Sequence, residues 1–101
     1  MKTLTLALLF VTLAAVAIAS PNSDPACRGA AQMFVKHYNE NAGDRYVKEL
    51  DQVTGCWFVG DDMHLSLIMK TGNGYYKSCL NVIFSTSDRV ATGIKSKGTC
   101  Q

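Results

Sequence analysis

The sequence predicts an α+β fold, one N-terminal helix packed against a curved four-stranded antiparallel sheet. Three observations lead there. One amphipathic stretch near the start has helical spacing, four later stretches read as strands parted by glycine-bearing or polar turns, and four cysteines are spread along a short chain.

The first element is a leader. Lys2 supplies a short basic region, residues 4–18 are almost unbroken apolar sequence, and Ala17-Ile18-Ala19 places small residues where a signal peptidase cuts. Cleavage is expected after Ala19, because a cut after Ser20 would leave Pro21 next to the scissile bond. The apolar run is shorter than the ~20 residues a spanning helix needs. The expected division is therefore a signal peptide over 1–19 and a single domain over 20–101, secreted and extracellular.

The helix comes next, near 27–41. Asp24 can accept hydrogen bonds from the unpaired amides of a first turn, and Pro25 suits the first helical position. Cys27, Ala30, Ala31, Phe34, Val35 and Tyr38 fall on one side; Arg28, Gln32, Lys36, Asn39 and Glu40 take the other. Asn41-Ala42-Gly43 closes it, with Gly43 free to adopt the left-handed conformation.

The remainder reads as antiparallel β. A strand over 45–58 holds Tyr46, Leu50, Cys56 and Phe58 in one parity and Val47, Val53 and Trp57 in the other, so Gly55 is expected to mark a bulge where the face changes. Val59-Gly60-Asp61-Asp62 turns the chain. Met63, Leu65, Leu67 and Met69 then alternate with His64, Ser66, Ile68 and Lys70, the pattern of a half-buried strand. Asn73-Gly74 is a hairpin signal, after which strands over 75–84 and 89–100 are joined through Ser85, Thr86, Ser87 and Asp88. The predicted core sets Phe34 and Tyr38 against Leu65, Leu67 and Met69.

A small oxidised domain needs staples, and Cys27, Cys56, Cys79 and Cys100 suffice for two. Three pairings are possible in principle. A strand running back along the helix brings Cys27 and Cys56 to one end, and Cys79 and Cys100 sit on one hairpin. Those are the favoured pairs. No thiolate nucleophile then remains.

Little else suggests chemistry. His37 and His64 have no partner at metal-ligand spacing, Asp61-Asp62 is a turn pair, and no glycine-rich loop precedes a helix. Removing Lys2 lowers the formal charge of +2 by one unit, too little for a nucleic-acid footprint. A membrane-active peptide would want a basic amphipathic helix, which this is not. The expectation is a monomeric binding protein with no enzymatic activity, metal or cofactor, and with neither nucleic acid nor membrane as partner. Cys56-Trp57-Phe58-Val59-Gly60 stands out, since large apolar residues crowd a turn. They are either core at a strand end or an exposed contact edge.

The order of elements resembles the cystatin superfamily. Phe34-Val35-Lys36-His37-Tyr38-Asn39 is similar to the middle of the cystatin helix, with Tyr38-Asn39 the best local match. Tyr76-Lys77-Ser78-Cys79-Leu80-Asn81-Val82-Ile83-Phe84 with Lys97-Gly98-Thr99-Cys100-Gln101 resembles the closing disulfide hairpin of secreted cystatins. The resemblance implies reversible inhibition of papain-like cysteine proteases by a wedge of an N-terminal segment and two hairpin loops. The first-loop motif Gln-x-Val-x-Gly falls on 56–60: Gly60 matches, Phe58 replaces the valine and Cys56 the glutamine. The second loop, at Ser85, Thr86, Ser87 and Asp88, lacks Pro-Trp, and no glycine precedes Cys27 after the leader. The expected contact residues are Trp57, Phe58, Val59 and Gly60, with the second loop beside them. The alternative is a protein of this fold that no longer inhibits proteases and binds another receptor or surface. A salivary or venom secretion would suit either.

Overall fold

The computed structural model describes residues 16–41, 43 and 46–100. Most of the expected leader, and Ala42, Asp44, Arg45 and Gln101, therefore lie outside the described residues. The elements in order are β1 (Val16–Ala17), α1 (Pro25–Asn41), β2 (Lys48–Val59), β3 (Asp62–Thr71), β4 (Lys77–Ser87) and β5 (Val90–Thr99). The strands form one antiparallel sheet in the order β1-β2-β3-β4-β5. The four long strands are those expected; the short β1 extends the sheet by one edge.

α1 forms for the reasons its sequence suggests. Asp24 Oδ1 accepts from the Ala26 and Cys27 amides at 3.0 and 3.1 Å, and Pro25 opens the helix. Cys27, Ala30, Ala31, Phe34 and Val35 are buried, while Tyr38 is half-buried with its ring 6.4 Å from that of Phe34. Past the helix, Gly43 has φ 64°, the left-handed conformation of a C-terminal cap. Asn39 then ties the helix to the sheet, donating to the Lys48 carbonyl at 3.0 Å and accepting from its amide at 2.9 Å.

β3 carries the centre of the core. Met63, Leu65, Leu67 and Met69 are at most 1% exposed, and they pack with Phe34, Val82 and Phe84 in one cluster. The cross-strand pairs Phe58↔Met63, Cys56↔Leu65 and Val53↔Leu67 continue it onto β2; Leu65↔Val82 and Met63↔Phe84 continue it onto β4. Because α1 touches β2, β3 and β5, the sheet wraps around it without closing.

β2 changes face twice. Its register with β3 slips between Leu50 and Gln52 and again between Val53 and Gly55, leaving Asp51 and Thr54 as extra residues. The second slip is the bulge expected near Gly55; the first was not foreseen. Two odd steps are what allow Leu50, Val53, Cys56 and Phe58 all to face the helix. Asn22 supports the bend, its Oδ1 accepting from the Val53 amide at 2.9 Å.

Three boundaries differ from expectation. Tyr46 and Val47 precede β2 and are exposed, because β2 begins at Lys48. β4 begins at Lys77, since the Gly74 amide donates to the Thr71 carbonyl and the Tyr75 amide to Asn73 Oδ1, which makes Gly72 to Tyr76 a loop. Finally, Ser85, Thr86 and Ser87 belong to β4, and the turn is Asp88-Arg89, with φ 52° and 65°. Two consecutive positive φ values define the hairpin turn whose twist matches its strands. The polar run was mistaken for a turn because its hydroxyls have partners inside the sheet: Ser85 lies near Thr92 and Gly93, and Thr86 bonds Asp61.

Both favoured disulfides are present. Cys27–Cys56 joins the first turn of α1 to β2, and Cys79–Cys100 joins β4 to the chain beyond β5. No free cysteine is left among the described residues. No helix there is long and apolar enough to cross a membrane.

Candidate functional site

The two hairpin turns meet at one end of the sheet. The first is the two-residue loop Gly60-Asp61 between Val59 and Asp62, which pair directly; Gly60 has φ 60° and so takes the conformation a β-carbon would disfavour. The second is Asp88-Arg89 between Ser87 and Val90. Thr86 fastens them, its amide donating to the Asp61 carbonyl at 2.9 Å and its hydroxyl to the same oxygen at 2.8 Å. Arg89 reaches under the sheet, its guanidinium carbon 5.0 Å from the centre of the Phe58 ring. A cation over an aromatic face holds the second turn against β2 as well.

The predicted contact residues separate here. Phe58 is 7% exposed and belongs to the core, so as a contact residue it is corrected: its side chain faces the helix beside Met63. Trp57 takes the opposite face of β2, half-buried, with its indole stacked on His64 at 5.4 Å. Gly55 gives that ring room, because a β-carbon there would stand 3.5 Å from the indole. Val59 is 49% exposed and Gly60 is exposed, and these two form the projecting edge.

Of the second-loop residues, Ser87 and Asp88 are exposed, whereas Ser85 and Thr86 are half-buried strand residues. Sequence reasoning missed Asp61 and Arg89. Arg89 had no local signal, because its contact with Phe58 crosses from the last hairpin to β2.

The third element of this end is β1. Val16 stands opposite Phe58 and Ala17 opposite Trp57, and the Ile18 amide donates to the Cys56 carbonyl at 2.9 Å. These residues lie within the expected leader, so cleavage after Ala19 would remove them.

Among the described residues no group of three His, Cys, Asp or Glu side chains is placed to hold a metal. Compared with protein-family models, curated proteins and solved structures, the chain matches none.

Proposed function

We propose that the protein is a secreted, cystatin-like inhibitor that enters the cleft of a papain-like cysteine protease with its paired hairpin turns. The observation that carries this reading is the double hydrogen bond from Thr86 to the Asp61 carbonyl, which makes two separate turns a single blunt edge. Such preorganisation matters because loops that are already ordered lose little freedom on binding. Two disulfides and the absence of a membrane-crossing helix among the described residues agree with an extracellular protein.

The contact would consist of Val59, Gly60 and Asp61 from the first turn and Ser87, Asp88 and Arg89 from the second, with Trp57 flanking them. No covalent step is involved. Phe58, in place of the family valine, anchors the first turn from inside. With no Pro-Trp at the second turn and β1 removed with the leader, affinity should fall below that of an intact cystatin.

Titration of papain with the mature chain, residues 20–101, tests the proposal. Inhibition should be reversible and competitive. Val59→Asp, which places a charge at the edge while leaving the core intact, should weaken it by about thirtyfold, as expected for a desolvated contact worth ~2 kcal/mol. If papain-like proteases are unaffected at about micromolar concentration, the protein uses this fold to bind another receptor instead.

A further inference from the structure

The outer face of the sheet, away from α1, carries a second site. The cross-strand registers align Trp57, His64, Ile83 and Ser96 as one row across four strands, and Gly55, Ser66, Asn81 and Gly98 as the next. The first row is a ridge headed by a stacked indole and imidazole. In the second row the Trp57 indole lies over Gly55, while Asn81 and Gly98 at the other end stay low beside it. A groove of about 520 Å³ lies here, lined among others by Trp57, His64, Asn81, Ile83 and Ser96.

Its chemistry is selective. Ser66 Oγ donates to Asn81 Oδ1 at 2.6 Å and Cys100 Sγ lies 3.5 Å from the same oxygen, which fixes the carboxamide and leaves its Nδ2 hydrogens without a hydrogen-bond partner among the described residues. Among the described residues no Asp or Glu lines the groove, and of Lys and Arg only Lys97 does. The neighbouring charges are paired to each other: Asp62 with Lys95 beyond one side, Asp51 with Lys70 and Lys77 beyond the other. A polyanion would find no cation cluster here. A purely apolar ligand would strand the Asn81 and Ser96 groups without partners.

We propose that this groove binds a neutral oligosaccharide, one pyranose stacking its apolar face on the Trp57–His64 ridge and directing hydroxyls to Asn81 and Ser96. A sugar ring is the ligand with one flat apolar face and a rim of neutral hydroxyls, which is the complement of an aromatic row beside an uncharged amide and hydroxyl row. A concave site lined by aromatic side chains with a few placed polar groups is the usual make-up of a small-ligand site. The site shares Trp57 with the proposed protease contact, but its ligand binding can be measured with no protease present.

The test uses the full chain with cellohexaose and chitohexaose as neutral probes and a heparin hexasaccharide as the anionic one. Trp57 is the chain's one tryptophan, so its fluorescence reports directly on the ridge. A neutral probe should shift that emission saturably and move the amide resonances of His64, Ser66, Asn81 and Ser96. Asn81→Ala, at an exposed position, should weaken binding roughly fivefold, the loss of one neutral hydrogen bond. Trp57→Leu, followed by the amide resonances, should weaken it by about thirtyfold. The proposal is overturned if neither neutral probe shifts the emission at about 10 mM, a concentration that would detect even millimolar binding. It is equally overturned if Asn81→Ala binds as well as the wild type, or if only the heparin fragment binds.

Discussion

Removing the ring of Phe34 tests the whole layered arrangement at once. Phe34 is 0% exposed and packs with Leu65, Leu67 and Met69 on β3 and Phe84 on β4. A buried phenyl ring withdraws on the order of 150 Å² from water, which at ~25 cal/mol per Å² is about 4 kcal/mol. The usual range for Phe→Ala in a core, about 3–5 kcal/mol, agrees. A domain of this size has roughly 4–12 kcal/mol in total, so Phe34→Ala should leave it barely folded. With a urea slope of ~2 kcal/mol per M, the midpoint should fall by about 2 M. The assay is equilibrium unfolding in urea with both disulfides kept oxidised, followed by far-UV circular dichroism and by Trp57 fluorescence, whose transitions should coincide. Lys36→Ala, on the exposed side of the same helix, should move stability by less than about 0.5 kcal/mol. Equal midpoints for the two variants would refute the assignment of the helix face.

Asp24→Ala removes the acceptor of the Ala26 and Cys27 amides and should cost about 1 kcal/mol in the same titration. Replacing Cys79 and Cys100 together by serine should cost roughly 2–4 kcal/mol, and non-reducing peptide maps should show Cys27 linked to Cys56 and Cys79 to Cys100; a dominant Cys56–Cys79 link would overturn the fold. Gly60→Ala places a β-carbon at φ 60° and should lower stability by about 1–2 kcal/mol, with crowding excluded as the cause because nothing stands within 4 Å of the site.

Elements whose signal is local were legible. Asp24-Pro25 announces the helix start because its capping partners lie within three residues. Met63, Leu65, Leu67 and Met69 announce β3 because side chains of a strand alternate by two whatever surrounds it. The disulfide pairs followed from element lengths and directions. At the first turn Val59 and Gly60 are exposed, whereas Phe58 faces the core.

The misses share one cause. Ser85, Thr86 and Ser87 look like a turn until Asp61 on another hairpin accepts the Thr86 hydroxyl. The slip at Asp51 cannot be seen in β2 alone, since it is defined by which residues of β3 stand opposite. Trp57 and Phe58 are adjacent and equally apolar, so composition leaves open which one faces the helix; two bulges upstream settle it by setting the parity of the strand. Hydrophobic spacing, capping and cysteine placement thus determined the helix, the strands and their staples, because each depends on neighbours along the chain. The end where two turns meet and the outer row from Trp57 to Ser96 were decided by register between strands, where a slip of one residue sends every side chain beyond it to the other face.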